Sequence, residues 1–129
     1  MKIDHIAIWT NNLEELRSFY MKYFGANSNE KYFNPTKKFS SYFLSFDEGC
    51  TIEIMEMPDI PKSKNDVYKQ FAGLIHFAIN VGSKTEVDNL TKVLRTNGYK
   101  VVGEPRTTGD GCYESVILDP DGNRVEIVA

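Results

Sequence analysis

Two strand-like apolar runs, Ile3 to Thr10 and Leu74 to Val81, each lead into a pattern with helical period. In the first, Asn12 is a predicted N-cap with Glu15 three residues on. Leu13, Leu16, Phe19, Tyr20, Tyr23 and Phe24 then form an apolar stripe that Gly25 ends. In the second, Ser83 and Glu86 repeat the capping box. Val87, Leu90, Val93 and Leu94 supply the stripe, and Asn97-Gly98 the stop. After each helix the pattern turns strand-like: Lys31 to Phe33, Ser40 to Phe46 and Thr51 to Met57, then Lys100 to Val102, Tyr113 to Leu118 and Arg124 to Val128. Asp47-Glu48-Gly49 and Pro120-Asp121-Gly122-Asn123 have the chemistry of tight hairpin turns.

These parallels are a duplication. His5-Ile6-Ala7-Ile8 matches His76-Phe77-Ala78-Ile79 at an offset of 71. Gly49-Cys50-Thr51-Ile52-Glu53-Ile54 matches Gly122-Asn123-Arg124-Val125-Glu126-Ile127 at an offset of 73, as Gly25 matches Gly98. The change of offset falls between the first strand and the glycine after the helix, so the second helix is expected to be about half a turn longer. The predicted class is α+β, with two tandem β-α-β-β-β modules in a single domain over 1–129. Module 1 covers about 1–57, a proline-bearing linker about 58–73, and module 2 about 74–129.

The same duplication singles out the chemistry. The chain has two histidines, and His5 and His76 fall at matched positions, as do Glu53 and Glu126. Each glutamate lies in a β-branched strand, where a carboxylate is costly to bury unless it is paired or coordinates an ion. Two imidazoles and two carboxylates suit Zn²⁺, Ni²⁺, Co²⁺ or Fe²⁺ better than Ca²⁺ or Mg²⁺. Glu56 has the opposite strand parity to Glu53 and is expected to face away.

Composition narrows the partners. The net charge of −3 with scattered basic residues excludes a nucleic-acid or anionic-membrane footprint. No apolar run approaches the roughly 18 residues of a membrane span, and Met1 to His5 lacks the apolar stretch of a secretory signal. Cys50 and Cys112 have no metal or redox spacing, so a cytoplasmic protein with free thiols is expected.

Asp4-His5-Ile6-Ala7-Ile8, Phe19-Tyr20 with Phe24-Gly25, Thr51-Ile52-Glu53-Ile54, Ile75-His76-Phe77-Ala78 and Leu118-Asp119-Pro120-Asp121-Gly122-Asn123-Arg124-Val125-Glu126 together resemble the vicinal oxygen chelate superfamily. That group holds glyoxalase I, extradiol dioxygenases, fosfomycin-resistance proteins and bleomycin-binding proteins, and the resemblance spans the chain. More narrowly, Tyr42 to Phe46 and Gly109-Asp110-Gly111 are similar to a bacterial glyoxalase-like branch. The resemblance implies paired modules forming a cup-shaped mixed sheet around one divalent metal ion, held by His5, Glu53, His76 and Glu126. It also implies a substrate that chelates the ion through two neighbouring oxygens.

Glu53 at the second ligand position resembles glyoxalase I, which implies a lyase or isomerase reaction by proton transfer. Glu126 is then the first choice of base and Glu53 the second. The same likeness implies a homodimer, with His5 and Glu53 of one protomer meeting His76 and Glu126 of its partner. Two positions depart from it. Glyoxalase I carries an Arg four residues after its first histidine and an Asn four residues after its strand glutamate, where this chain has Trp9 and Met57. Both changes argue against glutathione as a co-substrate, and Trp9, Met57 and Tyr113 are the predicted substrate-pocket residues. Two other classes compete. One is a non-catalytic, bleomycin-resistance-like module that stacks an aromatic drug on Trp9, Tyr42, Phe43 and Tyr113. The other is a ring-cleaving dioxygenase, which Glu53 disfavours.

Overall fold

The helices show how the local signals act. The computed structural model describes residues 1–129. Helix α1, Leu13–Phe24, opens at Asn12, whose side chain accepts from the Glu15 backbone N–H at 3.2 Å and donates to the Glu15 carboxylate at 2.8 Å. This reciprocal pair satisfies donors that a helix start leaves open. Gly25 closes it in the left-handed region, at φ +66°, where a side chain would be strained. Helix α2, Lys84–Thr96, opens at Ser83, which accepts from the Glu86 N–H at 3.2 Å. It is one residue longer than α1, and Asn97 before Gly98 absorbs the second inserted residue. The expected half turn is thus split between helix and cap.

The chain divides into two compact units, 1–63 and 64–129. In the first, β1 (His5–Trp9), α1, β2 (Asn27–Ser28), β3 (Tyr32–Asn34), β4 (Phe39–Ser45) and β5 (Thr51–Glu56) follow in order. The sheet runs β1-β5-β4-β2, with β3 also on β4. Strands β1 and β5 are parallel, and the other pairs are antiparallel. In the second unit β6 (His76–Asn80), α2, β7 (Val101–Thr107), β8 (Tyr113–Leu118) and β9 (Arg124–Val128) form the sheet β6-β9-β8-β7, with β6 and β9 parallel. The α+β class and modular β-α-β-β-β order expected from the sequence are present. The strand expected at Lys31 to Phe33 is β3, one residue later, and a further short strand, β2, precedes it; the register against β4 shifts by one residue between Ser28↔Leu44 and Tyr32↔Ser41.

Each helix covers one face of its own sheet. Leu13, Leu16, Phe19 and Tyr20 are buried against the side of the sheet that carries Leu44, Ile52 and Ile54. Burying each such side chain stabilises the fold by about 1.5–3 kcal/mol. In the second unit Val87 and Leu94 lie on the side of Ile117, Val125 and Ile127. Val93, expected in this stripe, is exposed. Thr91 takes its place, at the i+4 position from Val87, and it bonds the Val87 carbonyl at 2.6 Å and the Ser115 hydroxyl at 2.7 Å.

Residues 57–75 hold no helix or strand. Within unit 2, Asp66 caps the Tyr68 and Lys69 N–H groups at 2.8 and 3.3 Å, and Arg124 donates to the Val67 carbonyl at 2.6 Å. That ties the segment to the start of β9. Neither helix is long and apolar enough to cross a membrane.

Candidate functional site

The helix-free face of each sheet carries the conspicuous polar side chains. In β5, Ile52 and Ile54 point at α1, so Thr51, Glu53 and Met55 point away. The parallel register sets Ala7 opposite Glu53 and His5 opposite Thr51. His5 and Glu53 are therefore diagonal neighbours on one face. Ala7 leaves room for the glutamate to lean toward the imidazole, and His5 Nε2 lies 3.8 Å from Glu53 Oε2. The other ring nitrogen, Nδ1, is 2.9 Å from the Asp4 carboxylate, which orients the ring and turns Nε2 toward Glu53. That hydrogen bond, helped by the charge of His5, holds the Asp4 carboxyl below the usual carboxylate range. Phe43 stands edge-on to the imidazole, at 5.5 Å.

The second unit repeats this register. Ala78 is opposite Glu126, His76 is opposite Arg124, and His76 Nε2 lies 3.3 Å from Glu126 Oε2. Ile75 stands where the first unit has Asp4, so this histidine lacks the equivalent carboxylate. Burial pushes the Glu126 carboxyl above its ordinary value. His76 and Arg106 oppose that shift, while Glu114 and Asp110 add to it. The Glu53 and Glu126 side chains are 17% and 16% exposed, so both carboxylates are largely taken from water with little more than one imidazole beside them.

The donor sets fit a divalent transition ion. Two donors sharing one ion at about 2.0–2.2 Å stand roughly 3.0–3.5 Å apart. The His76–Glu126 spacing of 3.3 Å falls inside this range, and the His5–Glu53 spacing of 3.8 Å needs only a small side-chain adjustment. Neither unit alone brings a third histidine, cysteine or carboxylate to its pair in metal-binding geometry. Each unit thus offers two donors.

The predicted pocket residues divide. Trp9 lies on the same face as His5, 41% exposed and edge-on to Phe39 at 6.0 Å. Met57, just past β5, lines a surface cleft of about 350 Å³ with Asn11, Lys38, Glu56, Pro58 and Asp59. Tyr113 goes to the other face. It shares the parity of Ser115, which touches α2, and its hydroxyl donates to Asp88 at 2.8 Å with the Lys84 ammonium over its ring. Tyr42 likewise is buried toward α1, donating to Glu14 at 3.0 Å beneath the Arg17 guanidinium. Neither tyrosine shares a face with the histidine–glutamate pairs, because strand parity points both at a helix. Phe43, one residue on from Tyr42, does share it. Glu56 has the parity of Ile54, away from Glu53, and its charge reaches Lys31.

Four residues on the helix-free faces escape a reading of the sequence. In unit 1 these are Phe39 and Tyr32, which continue the ring row from Trp9 at 6.1 Å. In unit 2 they are Glu114 and Arg106, paired across β7 and β8 with a charge contact of 3.8 Å. The signal for Glu114 is its even parity with Val116 and Leu118, read from the offset of 73 against Ser41. Arg106 falls on this face by alternation from Val101, but its pairing with Glu114 has no such signal, because β7 is bulged.

Among known proteins, the uncharacterised YqjT of Bacillus subtilis (strain 168) is 30% identical over 128 residues, covering 97% of this chain and 96% of its own. The lactoylglutathione lyase GLX1 of Arabidopsis thaliana is 29% identical over 126 residues, which are 96% of this chain and 42% of that protein. The chain therefore spans less than half the length of that plant relative. Among solved structures, SMU.1112c superposes with a TM-score of 0.81 at 20% identity, covering 100% of this chain and 98% of that one. The V278E mutant of glyoxalase I from Zea mays superposes at 0.79 with 24% identity, covering 98% and 44%. These structural likenesses concern the fold. With residues 2–127 matching the family profile, the chain belongs to the Glyoxalase/Bleomycin resistance protein/Dioxygenase superfamily.

Proposed function

We propose that the protein is a metal-dependent lyase or isomerase of the glyoxalase type, acting on a small substrate that offers two neighbouring oxygens. One observation carries this reading: an imidazole and a mostly covered carboxylate recur at equivalent register positions in both units. Covered carboxylates with so little compensation are costly unless a cation joins them. In this reading His5 and Glu53 of one protomer, with His76 and Glu126 of its partner, hold a Zn²⁺, Ni²⁺, Co²⁺ or Fe²⁺ ion. The protein is then a homodimer with two sites. A monomer in light scattering that still binds one ion tightly would refute the shared arrangement. A cytoplasmic location belongs to the same reading, since Cys50 and Cys112 are unpaired thiols.

When bound, the ion would polarise a substrate carbonyl and favour negative charge on the two oxygens. The chain supplies the proton transfer. Glu126 takes a proton from the carbon beside the carbonyl and returns it to the neighbouring carbon. In the ion-free protein, burial holds its proton affinity above that of an ordinary carboxylate. Glu53 is the second choice for this role. Asp4 holds the His5 ring so that Nε2 faces the site.

The Arabidopsis thaliana relative is a lactoylglutathione lyase, yet Trp9 and Met57 offer apolar surface rather than a cation and an amide. A smaller or more apolar chelating substrate suits this wall better than glutathione. The ring row of Trp9, Phe39 and Tyr32 favours one second reading, a module that sequesters an aromatic ligand without turnover. Zinc titration separates these readings at their root. His76→Ala is expected to abolish tight binding and Glu56→Ala to leave it intact. Equal affinity in wild type and His76→Ala would overturn the metal reading.

A further inference from the structure

The two units keep the same histidine and glutamate but diverge around them. Opposite Ser41, unit 1 places Tyr32; at the equivalent register, opposite Glu114, unit 2 places Arg106. The substitution of a cation for a ring depends on backbone geometry. Strand β7 slips register twice against β8, between Val101 and Gly103 and between Gly103 and Arg106. With simple alternation from Val101, which faces α2 opposite Ile117, Gly103 would share that face and Arg106 would lie on the helix-free one, two residues further along β8 than it does. The first slip turns Gly103 to the helix-free face, opposite Val116; the two together leave Arg106 on that face but move it two residues along β8, opposite Glu114.

Local chemistry accommodates this bulge. Pro105 sits in it, on the edge strand where a missing N–H costs no ladder bond. Arg95 of α2 fastens Glu104 there, its Nη2 donating to both carboxylate oxygens at 2.7 and 2.6 Å. Gly103 admits the close approach, since a Cβ would stand 3.0 Å from the Val116 side chain. The bulge thus sets the residue of β8 that Arg106 meets.

That side chain is largely uncommitted. Arg106 is 57% exposed and meets Glu114, itself only 13% exposed, through one contact of 3.8 Å. So long and open a contact leaves most of the five guanidinium donors free. Strand β8 lies between β7 and β9, so Arg106 stands about 9.5 Å across the sheet from the strand of Glu126. Its charge is felt at Glu126.

Resting on the chelating reading of Glu126, we propose that Arg106 is a specificity residue that holds a carboxylate of the substrate beside the two chelating oxygens, with Glu114 orienting the guanidinium. A carboxylate suits the place better than a phosphate. Glu114 and Glu126 already put two negative charges around one guanidinium, and a dianion would meet more repulsion than a monoanion.

Calorimetry on the zinc-loaded protein tests this with catechol, which offers only neighbouring oxygens, and 3,4-dihydroxybenzoate, which adds a carboxylate. Arg106→Gln is expected to weaken the acid by at least about tenfold, as for a lost charge-assisted hydrogen bond, and to leave catechol unchanged. Arg106→Lys should fall between. Lys92→Gln, which removes an equal charge from an exposed position on α2, should alter neither ligand. Equal weakening of both ligands by Arg106→Gln, no weakening of the acid, or the same loss in Lys92→Gln would each overturn the assignment while leaving the chelating reading intact. Failure of the wild type to bind either ligand would overturn the chelating reading and this one with it.

Discussion

Asp4 is the position at which an exposed residue is expected to change metal affinity most. Its carboxylate lies 2.9 Å from His5 Nδ1, and the site offers His76 no equivalent. Replacing Asp4 by Ala frees the ring to rotate and removes the acceptor that keeps Nε2 pointed at Glu53. Partners of this kind are worth 10–100-fold in metal affinity. The Asp4 side chain is 84% exposed, and water competes for the same bond, so the low end applies: about tenfold, or about 1.4 kcal/mol. Stability should barely move, within about 0.5 kcal/mol, because a surface side chain is lost. The Asp4 carboxyl is held low by His5, so it stays ionised between pH 5 and 8 and the deficit should be constant there. The assay is competition for zinc against a chromophoric chelator, alongside thermal melting of the metal-free protein. Asp4→Ala binding zinc as tightly as the wild type would show that the hydrogen bond does not position His5. A large fall in the metal-free melting temperature would show that Asp4 acts on the fold instead.

Three further outcomes are expected. Glu126→Gln should melt higher than the wild type in metal-free protein at pH 7 while losing the stabilisation by zinc. The folded-state carboxyl is raised, so wild-type stability falls as pH rises through that raised value, and the glutamine lacks this decline; a lower metal-free melting temperature would contradict the burial argument. Thr91→Val should cost about 1–3 kcal/mol in urea unfolding, because it strands the fully buried Ser115 hydroxyl, and Ser115→Ala in the same chain should recover part of that. Metal-loaded wild type should turn over the methylglyoxal–glutathione adduct below the usual enzyme range of about 10⁴–10⁸ M⁻¹s⁻¹, and Trp9→Arg should raise that rate; wild-type efficiency within the range would remove Trp9 from the specificity argument.

Local chemistry decided much of this protein. The capping boxes at Asn12 and Ser83, the glycine after each helix and the two-residue parity of β5 and β9 act over a few residues, so they were legible in the chain, and the duplication cross-checked them. The histidine and glutamate positions were legible for the same reason: repeat offsets survive wherever strand register is regular. Three features needed the tertiary structure. Val93 and Thr91 are two residues apart on one helix, and only the sheet beneath α2 selects which is covered. Tyr113 and Tyr42 face helices because the pairing of β8 and β4 fixes which parity is inward, a choice that an aromatic side chain alone does not reveal. The pairing of Arg106 with Glu114 was invisible because two slips in β7 move it two residues along β8. Periodicity gives the face of Arg106, but it gives a partner only while register is kept, and in β7 it is not.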